Sequence, residues 1–306
     1  MIVGITGANG FIGQYLSDYL TSNGIEILAM CRSSEQAQYH AQKGRRVFIG
    51  DLTSPNNCDA FVKKADRIIH LAHSNTPMSK CDNDAKNLIQ NITPTLNLIE
   101  SIKRSNKHTH LIYASSGGTV YAEKKTEVPF SETDTCLPTC SYGIQKYTLE
   151  NYITCYSQMG NFSATILRIS NPYGMLLPSD RKQGLIGVVL NRIKNGQAIK
   201  IFGDPLNIRD YIHLDDLCSA FLSCLRTRTE GIYNIGSGVG KSVNDVFNII
   251  ESTINIQFPK EYVSNKQTEK LRPWVILNVY KAERELGWRP RIEFESGLKT
   301  MLCNYK

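Results

Sequence analysis

The sequence predicts an α/β protein: a doubly wound parallel sheet followed by a smaller α/β unit. Three observations predict it. Short apolar runs alternate with amphipathic stretches through the first half, the runs are almost continuously apolar, and a glycine-rich turn joins the first run to the first amphipathic stretch. Residues 1–6, 25–30, 46–50, 66–72, 110–115 and 163–170 read as strands, and "IGQYLSDYLTSNG" and "NITPTLNLIESIKRS" between them read as helices. The second half is less regular. It offers a turn-rich section over 171–184, a helix near 185–196, the strand "IKIF", a helix over 210–226, "GIYNIGSG", and a helix from Ser242. The main division is expected near Asn171, giving units 1–171 and 172–306, with 204–230 packing back on the first.

The totals narrow the function classes. With 306 residues, 41% hydrophobic and 21% charged, the chain can bury a sizeable core. No stretch approaches the roughly 20 apolar residues of a membrane helix, and "MIVGITGANG" lacks a signal peptide's basic region and cleavage site. The net charge of +7 is scattered, with no basic stripe interleaved with aromatics, which speaks against nucleic acid and suits a small anionic substrate. Nine cysteines without metal-ligand spacing read as reduced thiols of a cytoplasmic protein, with no metal site.

Gly7, Gly10 and Gly13 follow the first strand and open the first helix. Glycines there allow a tight turn, backbone approach to a pyrophosphate and close helix–sheet packing, while the helix N-terminus offers free N–H groups. The pattern predicts a Rossmann-type dinucleotide site. At the end of the second strand, a carboxylate would accept the adenosine ribose hydroxyls and repel a 2′-phosphate. The sequence has Cys31 and Arg32 instead, so NAD and NADP both stay open. Tyr142 and Lys146 stand four apart, on one helix face, where an ammonium favours the phenolate and makes a base.

With "TGANGFIG", "GDLTS", "IIHLAH", "SYGIQK", "LRISNPYG", "RDYIHLDDL", "YNIGSG" and "ERELGWRPR" in order, the chain resembles the extended short-chain dehydrogenase/reductases. The likeness runs almost end to end. It is to their NAD-dependent epimerase/dehydratase branch and, within that, to UDP-glucose 4-epimerase-type proteins. The resemblance implies that Asn9, Phe11 and Ile12 lie on the pyrophosphate and Asp51 and Leu52 by the adenine. Leu71, Ala72, His73 and Ser115 would line the cofactor, with Asn91 supporting the network. Asn171 and Tyr173 would lie where nicotinamide meets sugar, and Arg209 and Arg272 would grip the substrate diphosphate. It further implies a homodimer through a four-helix contact.

Two departures stand out. The family's third catalytic residue is a Ser or Thr four positions before the tyrosine of its "VYG" turn, which here is Gly117. Thr119 or Ser116 could replace it, or a water could fill the gap, and Gly117 and Gly118 could also leave more room for substrate. The segment between Arg272 and Lys281 is also about four residues shorter than the family's pattern. The activity implied is 4-epimerisation of a nucleotide-diphosphate hexose by transient oxidation at C4. The alternatives are NADPH-dependent reduction of a dTDP- or GDP-4-keto-6-deoxyhexose and a non-catalytic dinucleotide sensor. A 4,6-dehydratase would carry an Asp-Glu pair at the position of "GGT".

Overall fold

The computed structural model describes all residues except 78–82, 106, 182–183, 264–271 and 304–306. The chain runs β1 (Ile2–Thr6), α1 (Phe11–Ser22), β2 (Glu26–Cys31), α2 (Ser34–Gln42), β3 (Arg46–Ile49), α3 (Pro55–Lys64), β4 (Arg67–His70), α4 (Asp84–Arg104), β5 (His110–Ser116), α5 (Ser141–Gln158) and β6 (Ser163–Ile169). It continues with β7 (Asn171–Tyr173), α6 (Leu185–Lys194), β8 (Ile199–Phe202), β9 (Ile208–His213), α7 (Leu214–Thr227), β10 (Gly231–Ile235), β11 (Gly240–Ser242) and α8 (Val243–Ile254). β12 (Lys260–Val263), β13 (Trp274–Val275), α9 (Tyr280–Leu286) and α10 (Phe294–Cys303) complete it.

Seven strands form one parallel sheet in the order β10-β6-β5-β4-β1-β2-β3. The strands are apolar on both sides because both faces are covered. Val3, Ile5, Ile112 and Leu167 pack with α1 and α7, while Ile68, Leu111 and Ile166 pack with α3, α4 and α5. Chain direction across the sheet reverses between β1 and β4, the point where a crevice opens beyond the strands' C-terminal ends. Side-chain caps at Ser33, Ser54, Asn83 and Ser242 start α2, α3, α4 and α8 by accepting a backbone N–H of the first turn.

Two expectations change. The helix expected over 210–226 begins only at Leu214. Residues 210–213 belong to β9, which pairs with β7, β11 and β13 and ends where the His213 ring accepts the Asp215 N–H. The return to the first unit also runs past 230: α7 packs on α1, and β10 then joins the large sheet beside β6. The smaller unit holds β9 with its partners, the β8–β12 pair, and α6, α8 and α10 around Val189, Phe247 and Leu298. A fourth apolar cluster of Val120, Tyr121, Phe130, Val275 and Leu277 sits behind the β5 turn.

Candidate active site

The glycine turn is built to admit a phosphate. Gly7 has φ +70°, and a β-carbon there would lie 2.7 Å from the Ala72 nitrogen. A β-carbon at Gly13 would lie 2.2 Å from the Gly7 carbonyl. The Gly10 N–H donates to Gly7 O at 2.9 Å, and Gly10 caps α1 without a side chain, so the helix end stays open. Phe11 and Ile12 line the cleft beyond it. These residues fit a dinucleotide pyrophosphate.

At the β2 end, Cys31 is buried and its sulfur accepts the Asn9 amide at 3.1 Å, so Asn9 braces the turn against β2. Arg32 is exposed; its backbone N–H donates to Gln36 Oε1 at 3.1 Å. Asp51 accepts the Thr53 N–H at 2.7 Å and Leu52 is buried under α3, both outside the cleft's lining. Leu71 and His73 line the cleft, and Ala72 backs onto Gly7. Asn91 is buried within α4 rather than in the cleft wall, and its carbonyl oxygen accepts the Ser74 N–H at 2.7 Å and the Ser74 hydroxyl at 2.9 Å. It therefore pins the loop that carries His73. Behind that loop the His70 ring joins Thr6 Oγ1 at 2.6 Å to Thr95 Oγ1 at 2.9 Å. Burial, then the Lys146 charge, holds His70 down to about 3 and His73 to about 2, so both rings are neutral at ordinary pH.

Tyr142 and Lys146 lie one turn apart on α5 and both face the cleft. Lys146 is buried and donates to the Ala114 carbonyl at 2.7 Å. Burial pulls its pKa down to about 7, with Glu150 pulling the other way. The phenol of Tyr142 moves opposite to the lowering expected from its lysine. Burial, then Cys140, raises its pKa, and the Ser116 hydroxyl partly offsets this. The reason is geometric: the ammonium is 5.7 Å from the Tyr142 ring centre and bonds to a carbonyl, so desolvation wins. The His73 ring stands edge-on to Tyr142 at 5.1 Å.

The two candidate hydroxyls part company here. Ser116 lines the cleft beside Tyr142. Thr119 lies outside the lining: its β-carbon sits 3.1 Å from where a β-carbon on Gly143 would be, and its hydroxyl has no partner. A side chain at Gly117 would need Leu277 to shift, because an added β-carbon would fall 2.5 Å from Leu277 Cδ1 and 3.2 Å from the Arg168 carbonyl. Leu277 occupies the position, so the glycine gives no extra room to substrate.

Across the cleft, Asn171 donates to the Asp210 carbonyl at 2.9 Å, and Tyr173 is buried with its hydroxyl 3.3 Å from the Phe294 carbonyl. Arg209 lines the cleft from β9. The β13–β9 register sets Val275 opposite Arg209, which brings Arg272 close enough for the two guanidinium charges to repel. Burial, then that repulsion, lowers the Arg209 pKa, and burial lowers that of Arg272. Arg272 lies outside the cleft's lining, and both its terminal nitrogens are buried without a hydrogen-bond partner among the described residues. Two desolvated cations beside each other call for an anion.

The cleft encloses about 500 Å³ and runs from the glycine turn past Ser116 and Tyr142 to Arg209. Sequence reasoning missed Glu150 and Arg168, a buried ion pair at 2.7 Å directly behind Lys146. An arginine in the middle of the apolar strand "ATILRIS" was the available signal, since a buried charge demands a partner.

Comparison with known proteins agrees with this geometry. The chain is 32% identical over 97% of its length to an Escherichia coli dTDP-4-dehydro-6-deoxyglucose reductase, of which it covers 95%. It is 28% identical, over 97% of its length and 96% of the other, to a putative UDP-glucose 4-epimerase of Methanocaldococcus jannaschii. A solved UDP-glucose 4-epimerase of Thermotoga maritima with UDP-glucose superposes with a TM-score of 0.89 at 26% identity, covering 100% of this chain and 98% of that one. Residues 3–236 match the NAD dependent epimerase/dehydratase family, and the chain belongs to it.

Proposed function

We propose that the protein is a nucleotide-sugar 4-epimerase acting by transient oxidation at sugar C4. The observation that carries this reading is one continuous cleft holding the glycine cradle, the Tyr142–Lys146–Ser116 group and Arg209, with Arg272 beside Arg209 but outside the lining. When bound, the nicotinamide supplies the chemistry of accepting a hydride and returning it. Gly7, Gly10 and Gly13 would hold its pyrophosphate, and Lys146 its ribose hydroxyls. Arg209 and Arg272 would clamp the substrate diphosphate bidentately. Ser116 would hold the sugar O4, and Tyr142 would take the O4 proton and return it after the keto sugar has presented its other face.

A second reading is favoured by specific observations: the relative at 32% identity is a 4-keto-sugar reductase, and Cys31 stands where a carboxylate would exclude NADP. In that reading Tyr142 gives its proton to the ketone oxygen as the sugar is reduced. Denaturing the purified protein and weighing the released dinucleotide separates the two. Stoichiometric NAD(H) supports the epimerase. A protein that carries none and then binds NADPH in preference to NADH supports the reductase.

The functional form we propose is a cytoplasmic homodimer. Leu88, Ile89, Ile144 and Tyr152 are 51%, 62%, 50% and 41% exposed on α4 and α5, an apolar surface on two neighbouring helices. The eight described cysteines are all unpaired, in keeping with a reducing compartment.

A further inference from the structure

Behind the cleft, α5 is tied to β5 and β6 by a ladder of buried polar contacts. Lys146 donates to the Ala114 carbonyl at 2.7 Å. One turn on, the Glu150 carboxylate accepts the Ser115 hydroxyl from the next residue of the same strand. Ser115 stands opposite Arg168 in the β5–β6 register. Arg168 completes a fork on Glu150, with Nη2 to Oε2 at 2.7 Å and Nε to the two oxygens at 3.2 and 3.1 Å. Lys146, Glu150 and Arg168 are 3%, 1% and 2% exposed. Arg168 is itself held by the Tyr121 ring at 4.8 Å and the Glu132 carbonyl at 3.3 Å.

The groups facing Lys146 come from every element packed on it. Tyr142 and Glu150 lie on α5, Tyr113 on β5 at 4.9 Å from the ammonium, and His70 and His73 on and after β4. The two histidines are held neutral and burial raises both tyrosines, so Glu150 is the carboxylate of the set. Burying an ammonium without an anion is costly, and the group then sheds its proton. A neutral Lys146 would withdraw the one positive charge that the Tyr142–Lys146 reading sets beneath the phenol.

We propose that Glu150 is a positioning residue for Lys146: locked by Arg168 and Ser115, its carboxylate keeps the ammonium charged beneath the reacting phenol. Glu150 lies outside the cleft's lining and acts through Lys146 alone. The proposal rests on the Tyr142–Lys146 reading of the site. In its favour, Glu150 stands one helical turn from Lys146 on α5, and its charge opposes the fall in Lys146 pKa that burial causes.

The test compares pH profiles of kcat/KM for the wild type, Glu150→Gln and Tyr142→Phe, with dinucleotide content measured in each. Loss of the Lys146 proton as pH rises sets the alkaline limb. In Glu150→Gln that limb moves at least about one unit towards acid, a roughly tenfold loss at a fixed pH on the limb, with cofactor retained. If Glu150→Gln does not fold because Arg168 is left unpaired, the double variant Glu150→Gln/Arg168→Met removes both charges and keeps the same acid shift. A folded variant whose profile superimposes on the wild type after scaling overturns the proposal. If Tyr142→Phe is as active as the wild type, the site reading fails instead, whatever Glu150 does.

Discussion

The two walls of the cleft differ in how completely they satisfy themselves. On the α5 side, Lys146, Glu150, Ser115 and Arg168 find partners in one another and in the β5 backbone. On the β9 side, Arg209 lines the cleft, and Arg272 beside it, outside the lining, buries two terminal nitrogens with no partner among the described residues. The first wall is pre-organised: its charges are fixed before any ligand arrives, which a proton-transfer group requires. The second is left for an anion to complete. Binding and chemistry are therefore separable, and variants on the two walls should fail differently.

The largest effect is expected on the finished wall. Tyr142→Phe removes the group proposed to move the proton and should lower kcat by about 10²–10⁴-fold, while the dinucleotide stays bound and KM changes little. Steady-state kinetics with mass analysis of bound cofactor checks this. On the open wall, Arg272→Ala removes charge-assisted contacts of about 1.5–3 kcal/mol. It should raise KM by roughly 10–100-fold with kcat nearly kept. Its thermal stability should hold or rise, because an uncompensated buried cation is gone. A fall in kcat with KM unchanged would erase the contrast between the walls.

A smaller effect sharpens what separates them. Gly117→Ser restores the family's hydroxyl, yet its β-carbon meets Leu277. Overpacking should cost about 1–3 kcal/mol, seen as a lowered Tm, with no gain in rate. Adding Leu277→Ala should recover part of the stability. The smallest effect is global and away from the cleft. Burial holds His40 and His110 down to about 4 and His70 to about 3, so the unfolded chain binds protons that the native one refuses. Stability from these groups is present above pH 6.5 and is lost as pH falls towards 4, by about 1.4 kcal/mol per unit for each. His110→Asn, whose amide takes the place of Nδ1 and can still meet Ser163, should flatten the fall of Tm over that window.

Legibility in the sequence followed the same division. Gly7, Gly10, Gly13, Tyr142 and Lys146 declare themselves because a turn and a helix face are local, and their spacing is their geometry. The α/β alternation through β6 is equally local. What the sequence concealed depends on distant partners. That β10 would close the sheet follows from its pairing with β6, and that Ser116 rather than Thr119 meets the cleft depends on Gly143 packing over Thr119. Leu277 filling the space at Gly117 joins residues 160 positions apart. Residues 210–213 lie in a strand rather than the expected helix because "RDYIHLDD" lacks a strong period of either kind and is fixed by three neighbouring strands.

The most direct test of the proposed C4 chemistry is to incubate the purified protein with UDP-glucose carrying deuterium at C4 and follow the sugar by NMR. The account predicts the C4-inverted nucleotide sugar with the deuterium still on C4, because the hydride removed there is the one returned. Inversion with solvent hydrogen at C4, or UDP-, dTDP- and GDP-hexoses all left unchanged, would contradict it.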